Sequence, residues 1–126
     1  MMNYKRIYVC SPLRAADWPG ILRNANKAQQ YIEIAAEKYK CRAVAPHAYL
    51  PLMLDDNEPD ERALAIDFGK KLLELCDMLV VCGNIISEGM CGEIQYADKL
   101  GIPVQTLKKS ARMTAEIQAA IKESSL

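Results

Sequence analysis

Four short apolar runs alternate with four segments of helical periodicity, and this alternation constrains the fold more than any single motif does. The runs are Arg6 to Cys10, with Ile7-Tyr8-Val9 at its centre, then Cys41 to Ala45, Met78 to Cys82 and Ile102 to Leu107. They are short, apolar and rich in valine, as strands buried on both sides of a parallel sheet should be. Between the first two, apolar residues recur at helical spacing from Ile21 to Tyr39: Ile21, Ala25, Ala28, Ile32, Ala35 and Ala36. A second helix is predicted over Asp60 to Cys76, with Leu64, Phe68, Leu72 and Leu75 on one face. A third runs from Glu88 to Leu100, with Gly101 where a C-terminal cap belongs, and a last one from about Thr114 to Lys122. Strict βα alternation predicts an α/β protein with helices on both faces of a parallel sheet. The specific expectation is a flavodoxin-like three-layer αβα sandwich, its sheet of four or five strands in the order 2-1-3-4. With 126 residues, one domain spanning 1–126 is expected.

In such a sheet ligands bind where the strand order reverses, outside the carboxyl ends of strands 1 and 3. Two loops meet there: Ser11-Pro12-Leu13-Arg14, which continues through Trp18-Pro19-Gly20, and Gly83 to Gly89. A third connection, Pro46 to Pro59, is long for so small a domain, and loops of that length are usually functional or mobile.

Charge excludes several partners. Lys plus Arg and Asp plus Glu both number 16. There is no basic stripe, so neither nucleic acid nor an anionic membrane is expected. No apolar stretch approaches the roughly 20 residues a membrane span needs. Pro12 and Arg14 interrupt the N-terminal apolar region before it reaches signal-peptide length, and the expected location is the cytoplasm. Cys10, Cys41, Cys76, Cys82 and Cys91 form no CxxC pair, and a single histidine offers no zinc spacing. No metal or organic cofactor is expected. The GxxxxGK[ST] phosphate loop is absent, and Ser11-Pro12-Leu13-Arg14 does not fit the GxGxxG dinucleotide fingerprint.

The chemistry-bearing residues cluster at the switch point. Glu93 lies near the N-terminus of the third helix, where the macrodipole favours an anion and should hold the carboxylate ionised near neutral pH, as a nucleophile or base requires. Gly89 and Gly92 leave room beside it for a ligand to approach the backbone. Ser87 is a candidate helix N-cap. Arg14 follows a strand end, where a guanidinium suits a phosphate or carboxylate; Ser11 shares that loop, as a ligand contact or a turn residue. Tyr8 is either a core residue or, near the strand's carboxyl end, an orienting group for a neighbouring carboxylate. Asp77 is expected to cap the turn into strand 3. Asp67 is either exposed or a second acid facing the site. His47 is a ligand-contacting lid residue or a surface histidine. Trp18, Tyr49 and Leu50 suit stacking on a flat base, or else anchor their loops.

These residues resemble the nucleoside 2-deoxyribosyltransferase-like superfamily, most closely its bacterial and phage branch. The resemblance runs from Arg6 to about Val104. It rests on Ile7-Tyr8-Val9 with Ser11-Pro12-Leu13-Arg14, on Cys76-Asp77-Met78-Leu79-Val80-Val81, and above all on Ser87-Glu88-Gly89-Met90 with Gly92-Glu93-Ile94-Gln95-Tyr96-Ala97. It implies N-glycosidic bond chemistry, with Glu93 as the nucleophile on the anomeric carbon and Tyr8 positioning it. The logic is that of glycosidase double displacement. The superfamily's transferases place an aspartate where Ser87 stands. The related hydrolases of nucleoside 5′-monophosphates have serine there and an arginine matching Arg14, so this pair implies a phosphorylated ligand. Asp67 falls nearest to the aspartate that assists base departure, but stands further from Asp77 than the pattern expects.

The function expected is therefore cleavage or transfer of the N-glycosidic bond of a (deoxy)nucleoside or nucleoside 5′-monophosphate. Glu93, Tyr8 and Asp67 are the catalytic candidates, and Ser11, Arg14, His47, Ser87 and Gly89 the substrate-binding ones. The alternatives are a non-catalytic nucleotide-binding or sensing module, and an NAD-type glycohydrolase. A homo-oligomer is expected.

Overall fold

The computed structural model describes residues 4–124. Four parallel strands, β1 (Arg6–Cys10), β2 (Arg42–Val44), β3 (Met78–Val81) and β4 (Val104–Thr106), form one sheet in the order β2-β1-β3-β4. This is the expected flavodoxin-like order, with its switch point between β1 and β3. Pairing of Tyr8 with Val44 and of Cys10 with Val81 brings the strand ends to one edge.

Strand alternation divides the core in two. Ile7 and Val9 of β1, with Met78 and Val80 of β3, face α1 (Trp18–Tyr39) and pack on Ala28 and Ala35. Tyr8, Cys10, Leu79 and Val81 face the other way. They pack on Met90, Ile94 and Ala97 of α3 (Glu88–Lys99) and on Met113 and Ile117 of α4 (Ala111–Ser124). The small residues on the inner side of α1 let that helix approach the sheet closely. Long apolar side chains fill the opposite layer.

Helix α1 starts earlier than the apolar spacing indicates. Asp17 caps it, its carboxylate accepting the Gly20 N–H at 2.9 Å, and Pro19 stands in the first turn. Proline is at home there because its missing N–H would have no partner anyway. The segment Trp18-Pro19-Gly20, expected as loop, is therefore helix. The long connection after β2 contains two 3-10 turns, Pro46–Ala48 and Leu50–Leu52.

Helix α2 (Pro59–Glu74) departs most from expectation. Leu73 is its only fully buried residue among those described. Of the predicted inner face, Leu64, Phe68 and Leu75 are exposed at 57%, 48% and 63%. The inward face instead runs through Gly69 and Leu73. The space filled by Gly69 is set by β1: a Cβ there would come within 3.3 Å of the Tyr8 hydroxyl. A lone glycine inside a helix costs roughly 1 kcal/mol relative to alanine, and here it lets the helix backbone lie against a buried tyrosine.

A carboxylate at the carboxyl edge of the sheet

Just past the end of β3, Gly83 has a φ of +91°, a left-handed conformation that glycine adopts without a Cβ penalty. The chain then enters α3 through Ser87, which is its N-cap as expected. The Ser87 hydroxyl accepts the Met90 N–H at 3.3 Å. One turn on, Glu93 turns its carboxylate towards the end of β1. The Cys10 thiol lies 3.9 Å from Glu93 Oε1, and the Tyr8 hydroxyl also donates to this carboxylate. Tyr8 is 2% exposed and Cys10 fully buried. Residues i and i+2 of a strand share a face, so β1 presents both donors to α3 together.

Burial dominates the electrostatics. It pushes the Glu93 carboxyl up to about 7, while the hydrogen bonds from Tyr8 and Cys10 pull it part of the way back. The expectation that the helix N-terminus holds Glu93 ionised near neutral pH is corrected to a carboxyl raised to about 7, because desolvation outweighs the groups that favour the charge. The donors respond in kind. Burial and then the Glu93 charge raise Tyr8 well above its ordinary value, and the same two causes raise Cys10. Both stay protonated and can only donate to Glu93.

The surface of the first turns of α3 is open at its two glycines. A Cβ at Gly89 would meet nothing within 4 Å, and the same holds at Gly92. Internal packing does not require either glycine. Two surface hollows of about 300 Å³ lie elsewhere, one between α3, β4 and α4, the other an apolar groove between β2 and Phe68 and Leu72 of α2. Neither is lined by Glu93.

The remaining predicted residues are not all brought to Glu93. Ser11 and His47 form a buried pair, Ser11 Oγ to His47 Nε2 at 2.8 Å, with exposures of 4% and 8%. His47 is thus not a surface histidine. Burial lowers its pKa to about 4, so it is neutral and ties the end of β1 to the first 3-10 turn. Arg14 lies on the loop after β1, and its Nε meets Asp56 Oδ2 at 3.3 Å. Asp67 is not brought to Glu93. It pairs with Lys71 at 3.2 Å on the solvent side of α2, roughly 200° around the helix from Gly69, so its expected place as a second acid is corrected. Trp18 and Tyr49 are more than half exposed and do not anchor their loops in the core.

Two neighbours escaped the sequence reading. Gly69 permits the close approach of α2 to Tyr8; its signal was a lone glycine in a helical pattern. Arg62 meets Asp56 Oδ2 at 3.1 Å, so two guanidiniums share one carboxylate oxygen. No local pattern announces that meeting, since Arg14 comes from the loop after β1 and the other two from the start of α2 and the turn before it.

Residues 5–107 match the model of a family described as Domain of unknown function (DUF7768). Among solved structures, the chain is similar to a 2-deoxyribosyltransferase from the psychrotolerant bacterium Bacillus psychrosaccharolyticus, with a TM-score of 0.58. The two are 17% identical, over 80% of this chain and 70% of that one; at this identity the likeness is one of fold. No curated protein matches the sequence. Among the described residues no helix is long and apolar enough to cross a membrane.

Proposed function

This chain belongs to the DUF7768 family, and we propose that it cleaves or transfers the N-glycosidic bond of a (deoxy)nucleoside or nucleoside 5′-monophosphate. The observation that carries the reading is the Glu93 carboxylate, desolvated at the carboxyl edge of the sheet and held by two donors from β1. A carboxylate poised near 7 is a stronger nucleophile and base than one at an ordinary value, and half of it is charged at neutral pH. The fold shared with a 2-deoxyribosyltransferase adds support of a coarser kind.

In the reaction proposed, a Glu93 oxygen attacks the anomeric carbon and the carbon–nitrogen bond breaks. Its electron pair leaves with the base, which takes up a proton. Water or a second base then displaces Glu93 from the sugar. The Tyr8 hydroxyl and Cys10 thiol keep the attacking carboxylate oriented. The sugar lies over Gly89, where no side chain intervenes. The Ser87 hydroxyl accepts from Met90 and so keeps its own proton to offer to a phosphate oxygen. Arg14 supplies charge to the same end, and the Ser11–His47 pair fixes the loop that carries it.

The test is release of free base from deoxynucleosides and from their 5′-monophosphates, read by chromatography. Release by the native protein and its loss in Glu93→Ala support the reading. Binding of nucleotides that survives Glu93→Ala, with base never released by either protein, moves the assignment to a sensing module. The reading also includes a homo-oligomer, for which the exposed Leu64 and Phe68, on one face of α2, offer an apolar surface. A monomeric mass in sedimentation at micromolar concentration would remove that part.

A further inference from the structure

Glu93 carries a charge that no cation among the described residues balances. The groups that act on its carboxyl are the Tyr8 hydroxyl and the Cys10 thiol, both neutral, and burial, which disfavours the charge. Basic side chains at this edge of the sheet are committed elsewhere or lie further off. Arg14 meets Asp56 at 3.3 Å. Arg112 meets Glu116 at 3.1 Å and donates to the Asn84 carbonyl at 2.7 Å. Lys108 and Lys109 are exposed and follow β4, which β3 separates from β1. A desolvated carboxylate is normally paired with a cation or a metal, whereas Glu93 receives neutral hydrogen bonds only. Such a site favours a ligand that brings the positive charge itself.

The departing base faces a matching difficulty. A neutral purine or pyrimidine leaves as an anion unless it is given a proton, and a positioned acid contributes about 10²–10⁴-fold to such a step. The acids that the sequence offers are not in place. Asp67 is paired with Lys71 on the solvent side of α2. His47, lowered to about 4 and bonded to Ser11, has no imidazolium proton to give at neutral pH. Glu88 is exposed and lies roughly 140° around α3 from Glu93. The Tyr8 and Cys10 protons are held against Glu93, and both groups are raised well above their ordinary values. A base whose ring already carries a positive charge needs no proton, because it leaves as a neutral molecule when the glycosidic bond breaks.

We propose that the substrate is a cationic N-glycoside, a nucleoside or nucleotide whose base is a pyridinium or an N-alkylated purinium ring, and that Glu93 is both its counter-ion and its nucleophile. The proposal rests on the function above and narrows it by the charge of the leaving base. The electrons balance without a protein acid. A Glu93 oxygen bonds to the anomeric carbon, and the electron pair of the carbon–nitrogen bond returns to the ring and cancels its charge. Water then bonds to the anomeric carbon, Glu93 departs as a carboxylate, and one proton passes to solvent. The cation beside Glu93 also favours the ionised carboxylate, the form that attacks.

Guanosine and 7-methylguanosine differ by one methyl group and one positive charge, and nicotinamide riboside supplies the pyridinium case. Release of base from each, and from its 2′-deoxy form, is followed by chromatography at pH 7 with and without native protein. The acceleration over the rate without protein should be at least about tenfold greater for a cationic glycoside than for guanosine with the same sugar. A positioned acid would reverse that order, because only the neutral base gains from it. The cationic ring that is accelerated more tells pyridinium from purinium. Glu93→Gln should abolish release from all of them. A smaller margin, or a greater acceleration for guanosine, overturns the proposal; release that still depends on Glu93 then leaves the glycosyl chemistry intact. No release from any of these glycosides by native protein removes both.

Discussion

Two carboxylates, Asp77 and Glu93, stand at opposite edges of the same sheet and are treated in opposite ways. At the amino edge, Asp77 accepts the N–H groups of Lys5 and Arg6 at 2.7 and 3.1 Å, and these bonds hold its carboxyl below the usual range. It is solvated, charged and satisfied. At the carboxyl edge, Glu93 is desolvated, receives one hydroxyl and one weak thiol contact, and is raised to about 7. Asp77 fastens β3 to the start of β1. Glu93 fastens nothing that an apolar residue could not, and its charge is a cost to the fold. A group held in a state the fold disfavours is where function is to be sought; a group in the state the fold prefers is structural.

Glu93→Gln should break the comparison most strongly. Base release should fall by about a thousandfold or more, since removing a nucleophile leaves only binding and orientation. Stability should move the other way. The folded-state pKa lies above the unfolded value, so the contribution of Glu93 to stability is full below about 4.5 and is lost as pH rises through about 7. Glutamine stays neutral throughout. Denaturant melts should therefore show Glu93→Gln more stable than native at pH 8.5, by on the order of 2–3 kcal/mol, with the two converging near pH 4. Equal stability at both pH values would mean the carboxylate is solvated.

Tyr8→Phe sharpens the same point. It removes a hydrogen bond that favours the charged form, so the pKa of Glu93 rises further. The acidic limb of the pH–rate profile, expected near pH 7 in the native protein, should move to higher pH. Activity at pH 7 should fall roughly ten- to a hundredfold, with much of it recovered at pH 9. A loss that is the same at every pH would assign Tyr8 to packing alone. Gly89→Ala comes next. The added methyl meets no protein atom and improves helix propensity by up to about 1 kcal/mol, so the melting temperature should hold or rise. If the ligand's sugar uses that space, kcat/KM should drop about tenfold. Unchanged kinetics would move the ligand off this face of α3.

The two edges also differ in how much of them the sequence discloses. Strand β1 reads at its observed limits, and the strand order follows from alternation and sheet topology, because both depend on patterns within one segment. The caps at Ser87 and Gly101 are legible for the same reason: the signal and the structure it produces are adjacent in the chain. Asp17 carried such a signal too, and α1 consequently begins at Trp18. What sequence does not disclose is assembled across segments. The helix dipole at Glu93 is local and was legible, but the burial that overrides it is supplied by β1. The Leu64–Phe68–Leu75 stripe had proper helical spacing, yet α2 turns Gly69 and Leu73 inward because Tyr8 of another element occupies the facing space. Asp67 goes outward with that same rotation, and Arg62 comes into reach of Asp56.

Asp77→Asn should give the smallest effect and the cleanest control. Asparagine keeps an acceptor for the Lys5 and Arg6 N–H groups but loses the charge. The folded pKa of Asp77 is depressed, so its contribution to stability is present above the unfolded value near 3.8 and is lost as pH falls through the lower folded value. The variant should therefore melt slightly below native at pH 7, and the gap should close under acid conditions, the reverse of the trend for Glu93→Gln. Its base-release kinetics should match those of the native protein, because no part of the amino edge reaches the ligand. A clear change in the pH–rate profile of Asp77→Asn would show that the two edges are coupled through β3, and Glu93 would then no longer be set by its immediate surroundings alone.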